Sequence, residues 1–142
     1  MHEALARANF ERDAALLTDR MAELQGLVVH RREFPVLDVT VVHPTSIRIC
    51  MQCNDWDELP PSIALLGPDG SPCKGPLPPG GVFNAGGHPA TGRPFICMRG
   101  SREYHTHFGH QNDVWANHRG QDGMNLIGIL MQLCAVWRSG MR

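Results

Sequence analysis

Residues 124–137, MNLIGILMQLCAVW, place Leu126, Leu130, Leu133 and Trp137 at helical spacing, and Ile127, Ile129, Met131 and Cys134 widen that apolar surface. At about fourteen residues the segment falls short of a membrane span, so it is expected as a helix buried in a protein core. Cys134 then lies in packing, and Asp122 is the expected N-cap, its carboxylate meeting the first free amides of the helix. The rest of the chain has to supply the surfaces that cover this helix.

With 142 residues, the length suits a single domain over 1–142 with one two-layer core. A net charge of −1, with Lys and Arg scattered rather than striped, argues against nucleic acid as a partner. The opening MHEALARANFERD has mixed charges and no apolar h-region, and no window is long enough to span a bilayer. A cytoplasmic protein is the expectation. Five cysteines (Cys50, Cys53, Cys73, Cys97, Cys134) are odd in number and too sparse for a disulfide scaffold, which fits free thiols in a reducing compartment.

Phe10, Ala14, Leu17, Met21 and Leu24 recur at spacings of four and three, predicting one amphipathic helix over residues 3–25 with Gly26 as its C-cap. From Leu27 to Cys53 the period moves towards two. Runs opening at Val28, at Val36 and at Ile47 are separated by Pro35 and by His43-Pro44-Thr45-Ser46, predicting an antiparallel meander with one face on the first helix. Cys50 and Cys53 have the spacing of half a zinc site, but no second pair follows and a strand would point them to opposite faces, so they read as strand residues.

Pro60-Pro61 cannot donate to a ladder and so precede a short strand, Ile63–Leu66. Residues 67–87, GPDGSPCKGPLPPGGVFNAGG, lack periodicity over most of their length and predict a long loop. Next come His88-Pro89, the apolar run Pro94-Phe95-Ile96, Cys97, and a loop carrying His105, His107 and His110. Read from the residues alone, Cys97 is either a buried strand cysteine or a nucleophile with Arg93, Arg99, Arg102 and the histidines as nearby cations.

The order of these features resembles the ubiquitin-conjugating-enzyme family. Pro60-Pro61 is similar to its paired prolines, His88-Pro89 to the start of its His-Pro-Asn, and Gly92 with Phe95-Ile96-Cys97-Met98 to its Gly-x-Ile-Cys-Leu. Trp115 resembles the tryptophan after its nucleophile, and Leu126–Leu133 its core helix. The resemblance implies an α+β fold: N-terminal helix, antiparallel meander, active-site loop and C-terminal core helix. It also implies that Cys97 carries a ubiquitin-like protein as a thioester, received from an ATP-dependent activating enzyme and passed to a target amine.

The resemblance is to a compact, bacterial-type member, a kind associated with anti-phage defence and with a metal-dependent deconjugating peptidase as neighbour. Ala90 stands where that family has its oxyanion Asn, so the donor has to come from elsewhere. The stretch from Cys97 to Trp115 is longer than the family's, and its two C-terminal helices are not expected after Trp137.

His105 is assigned to proton transfer or oxyanion support beside Cys97, against the plainer reading of a solvated loop histidine. A rival reading takes His105, His107 and His110 as zinc ligands, with Asp113 or His118 completing a structural or hydrolytic site. Otherwise no cofactor is expected. A third reading, a non-catalytic binding module, keeps the fold without the chemistry, and Cys97→Ala separates it from the carrier. No Gly-x-Ser-x-Gly and no phosphate-binding loop occurs in the sequence.

Overall fold

The computed structural model describes residues 1–142 and has mixed α and β content. In chain order the elements are α1 (Glu3–Ala14), α2 (Asp19–Leu24), β1 (Leu27–Glu33), β2 (Val36–Val41), β3 (Ile47–Gln52), β4 (Ser62–Leu66), β5 (Phe83–Asn84), β6 (Phe95–Ile96), α3 (Arg102–Thr106) and α4 (Leu126–Gly140). Short 3-10 turns occupy Phe108–His110 and Trp115–Asn117. None of the helices is long and apolar enough to cross a membrane.

Strands β1 to β4 form one antiparallel sheet in sequence order, as the alternating runs predict. Its register pairs Val39 with Ile49 and Ile49 with Leu65, and Leu37 with Met51 and Met51 with Ile63, so one apolar face runs across the three strands. A one-residue slip would turn that whole set towards solvent, which is why the pattern fixes the register. The opposite face is polar: Arg48 donates to both carboxylate oxygens of Asp38, at 2.9 and 2.7 Å.

Helix α4 belongs to the same core, with Leu126, Ile129, Leu130, Leu133 and Trp137 no more than 1% exposed. Each such side chain taken from water is worth about 1.5–3 kcal/mol, so this one helix supplies a large share of the hydrophobic driving force. Its N-cap is Asn125, whose side chain accepts from the Gly128 amide at 2.7 Å, and not Asp122, which is exposed in the preceding turn. Trp137 donates its indole N–H to the Thr45 carbonyl at 2.8 Å, tying the far end of α4 to the turn between β2 and β3.

The expected single helix over 3–25 is two. Thr18 accepts from the Met21 amide and caps α2, and the intervening turn drives Leu17 into the core. The chain is thereby redirected, leaving Leu24 67% exposed instead of on the buried stripe. Gly26 lies just past α2 with φ 65°, the left-handed conformation of a helix terminator. Phe10 of α1 meets Phe34, between β1 and β2, edge to face at 5.7 Å, so α1 packs beside the sheet.

Asp13, at the end of α1, is buried with three partners. It accepts from the Trp56 indole at 2.8 Å, from the Leu126 amide at 3.2 Å and from Arg12 at 2.9 Å. One carboxylate thus joins α1, the segment after β3 and the first turn of α4. Trp56 packs against Trp115 at 5.6 Å, and Trp115 donates to the Asp57 carbonyl at 2.8 Å, which anchors the loop leading out of the cysteine region.

Candidate active site around Cys97

Strand β6 delivers Cys97. Phe95 and Ile96 are buried, and β6 pairs with β5 through Phe83↔Ile96 and Asn84↔Phe95. The Cys97 amide extends that pairing by donating to Val82 O at 2.6 Å. Of the aperiodic stretch 67–87, residues 83–84 are therefore a strand; a two-residue strand has no period to reveal it. Beyond Cys97 the chain turns at Gly100 (φ 100°), where an added Cβ would lie 3.0 Å from Ile129. Ser101 donates to Ile96 O at 2.8 Å and accepts from the Tyr104 amide at 3.2 Å, so one hydroxyl ties β6 to the start of α3.

Helix α3 is sutured to the entry of β4. The Arg102 amide donates to Pro61 O at 2.8 Å and its guanidinium to Pro60 O at 3.2 Å. Glu103 accepts from the Ile63 amide at 2.7 Å and from the Ser62 hydroxyl at 3.1 Å. The prolines lack N–H groups, but their carbonyls are the surface on which the cysteine segment docks. Burial raises the Glu103 carboxyl above its ordinary range, against the pull of those two donors.

His88 is 1% exposed and structural. Its Nδ1 accepts from the Ala90 amide at 3.0 Å, so Nε2 carries the proton and donates to Glu103 O at 2.8 Å. The turn closes through Gly92, at φ 70°, whose amide donates to His88 O at 2.7 Å. The His-Pro turn is thus a brace behind α3, with Phe95 packed edge-on against the His88 ring at 4.9 Å.

Cys97 is neither fully buried nor open, and burial raises its thiol above the ordinary value. The expected arginine cations do not offset this. Arg99 is paired with Asp113 and Arg102 is turned to Pro60, while Arg93 is exposed. The resting group is therefore the thiol, and a nucleophilic role requires a base. The imidazole in position for that is His110, with Nε2 at 3.4 Å from Sγ.

His105, the histidine assigned to proton transfer beside Cys97, has both ring nitrogens committed elsewhere. Nδ1 donates to Asp113 O at 2.7 Å and Nε2 accepts from the Gly100 amide at 3.1 Å. Burial lowers its pKa, which keeps the ring neutral and suited to both bonds. Its place is to close the loop from Gly100 to Asp113, and the position beside the thiol passes to His110. Nothing in the sequence ranks one histidine of this loop above another, because its turns are set by local bonds and not by periodicity.

The zinc reading fares no better on geometry. His107 accepts from the Gly109 amide at 3.0 Å and stacks on Phe95, and no group of three or more His, Cys, Asp or Glu side chains is placed to hold a metal ion. Asp113 and His118 instead bond to each other at 2.5 Å. Cys50 and Cys53 are free thiols, with Cys53 buried and pushed well above the ordinary thiol range by desolvation.

The residues that sequence reasoning missed are Tyr104 and the role of Asp113. The Tyr104 ring lies parallel to His110, with centroids 4.1 Å apart and planes at 16°. Its hydroxyl donates to Asp113 at 2.6 Å, and Arg99 donates to the same carboxylate oxygen at 3.0 Å. Three donors hold the Asp113 carboxyl well below the usual carboxylate range, so it is ionised. A cavity of about 290 Å³ lies nearby between β4 and the Thr91–Ile96 segment, lined by Ile63, Leu65, Leu77 and Phe95, but Cys97 is not in its wall.

Every side chain of this cluster after His88, and the whole of α4, lies in one contiguous stretch. Residues 87–142 match a family model described as Y4jH-like, the Y4jH family. The matched Y4jH-like stretch contains the brace, the thiol, His110 and the core helix, and leaves out the four-stranded sheet. A comparison with curated proteins finds no match.

Proposed function

We propose that the protein is a cysteine thioester carrier of the ubiquitin-conjugating kind. The single observation that carries this reading is the thiol of Cys97, at the end of a short strand, with an imidazole nitrogen 3.4 Å away. Support comes from the order of features around it: the four-stranded meander, the paired prolines under α3, the His-Pro brace, the buried Trp115 and the core helix α4.

The chemistry follows from the groups present. The Cys97 sulfur takes the acyl carbon of a modifier's C-terminus from a thioester on the activating enzyme, whose own thiol leaves with the proton shed by Cys97. An incoming amine then attacks the Cys97 thioester, the C–S bond breaks, and the proton released by the amine returns to the Cys97 sulfur. His110 is the group that takes and returns these protons. The amides of Met98 and Arg99, which donate to no group of the protein, replace the missing Asn as candidate donors to the oxyanion. The partners under this reading are a ubiquitin-like protein, an ATP-dependent activating enzyme and a target protein, in a bacterial, antiviral setting.

The test is an intact-mass spectrum under native, non-reducing conditions, after co-expression with any ubiquitin-like and activating-enzyme genes that neighbour this one. A modifier-sized adduct that thiols release and that Cys97→Ala lacks is the expected result. A Cys97→Ala protein that retains its biological function would mark a binding module and end the carrier reading.

A further inference from the structure

His110 has no carboxylate on its second nitrogen, which is the usual way an enzyme fixes a catalytic imidazole. What holds the ring over Cys97 is a face. Tyr104 of α3 stacks on it at 4.1 Å, and the backbone on either side is pinned where the His110 amide donates to His107 O and the Asp113 amide donates to His110 O, both at 2.9 Å. Tyr104 is in turn fixed by its hydroxyl on Asp113, and Asp113 by Arg99 and by His118. The second ring near His110 is His107, at 5.7 Å.

We infer that Asp113 is a positioning residue that acts through Tyr104, holding His110 over Cys97 and supporting the imidazolium that forms when His110 takes the thiol proton. The inference rests on the reading of Cys97 as a nucleophile. A phenol that donates to an ionised carboxylate has a more electron-rich ring, and the face of such a ring attracts a cation lying against it. The proton moves from Sγ to Nε2, leaving a thiolate beside an imidazolium whose ring lies on the Tyr104 face. Asp113 thus favours the charged pair without touching either member. The arrangement separates two functions that a Cys-His-Asp triad combines: proton transfer belongs to His110, and orientation to a stacked phenol.

The experiment is the rate of Cys97 alkylation by iodoacetamide, followed by peptide mass spectrometry from pH 5 to 10, in the wild-type protein and in His110→Gln, Tyr104→Leu, Tyr104→Phe and Asp113→Asn. A thiol titrating near ~8.5 is only about 3% thiolate at pH 7. The wild-type profile is expected to carry a second inflection below that of the thiol. His110→Gln and Tyr104→Leu should remove it and slow alkylation at pH 7 by about tenfold. Tyr104→Phe, which keeps the stack and loses the bond to Asp113, should slow it by about threefold, and Asp113→Asn should match Tyr104→Phe.

A Tyr104→Leu profile identical to wild type, in a protein with unchanged far-UV circular dichroism, overturns the inference. So does an unchanged Tyr104→Phe profile, which a loss of packing alone does not complicate. The expected profiles combined with no thioester adduct on co-expression support this inference and remove the carrier reading, whereas an adduct with profiles insensitive to Tyr104 does the reverse.

Discussion

Replacing Asp13 by Ala removes the acceptor shared by three parts of the fold, and its cost can be worked from the contacts. Asp13 is 3% exposed, and two of its donors, the Trp56 indole and the Leu126 amide, are buried with it. A buried donor left unpaired costs about 1–3 kcal/mol, and loss of a negative charge at the first turn of α4 adds about 0.3–1 kcal/mol. Arg12 is 59% exposed on its side chain, so its ion pair contributes little in solvent. A polar groove lined by Asp13, Trp56 and Asn125 lets one water reach the vacated position and satisfy one donor in part.

The net expectation is a loss of about 2–4 kcal/mol, or a melting temperature lower by about 6–15 °C. Urea denaturation followed by far-UV circular dichroism measures it without relying on Trp56 fluorescence, which the substitution itself disturbs. A double-mutant cycle with Trp56→Phe should return a coupling of about 1 kcal/mol between the two residues. A loss under about 0.5 kcal/mol, or no coupling, would refute the argument that this carboxylate closes the structure.

Glu103→Gln keeps the acceptor for Ile63 and Ser62 and removes the ionisation. Because burial raises the folded-state pKa of Glu103, the wild type loses stability as pH rises past the ordinary carboxyl value near ~4.3, so the variant should gain on the wild type between pH 4 and 7. A pH-independent difference in urea midpoints would contradict this. Gly100→Ala places a Cβ 3.0 Å from Ile129 in a backbone with φ 100°, and should cost about 1–3 kcal/mol by thermal melt while changing the Cys97 alkylation rate. Chelators should leave the melting temperature unchanged, since no group of three or more His, Cys, Asp or Glu side chains is placed to hold a metal ion; a drop with EDTA that zinc restores would favour the zinc reading.

The sheet was legible because its signal is periodic. Leu37, Val39 and Val41 must share a face once they alternate with Asp38 and Thr40, and helix α4 is just as plain in Leu126, Leu130 and Leu133. The break at Thr18 was hidden because the spacing of Phe10, Ala14, Leu17 and Met21 continues across it, and a capping threonine looks like any polar residue on a helix. Cys97 was legible as a candidate because His-Pro and a glycine precede it. Its partner was not: His105 and His110 sit five residues apart in a loop whose turns depend on the hydroxyl of Ser101 and the carbonyl of Asp113. Tyr104 carries no pattern at all, since stacking leaves no mark on sequence spacing.

The bond from Asp13 to Leu126 spans 113 residues, and α4 joins the core shared with the sheet's apolar face from the far end of the chain. During synthesis the four strands are complete by Leu66, but α4, which shares their core, begins only at Leu126. At typical elongation rates the intervening stretch takes roughly 3–12 s to make, and through that interval Leu37, Val39, Ile49 and Met51 lack the part of their core that α4 supplies. The nascent chain is therefore a natural client for a holding chaperone, and slow codons between Leu66 and Leu126 would lengthen its exposure to aggregation.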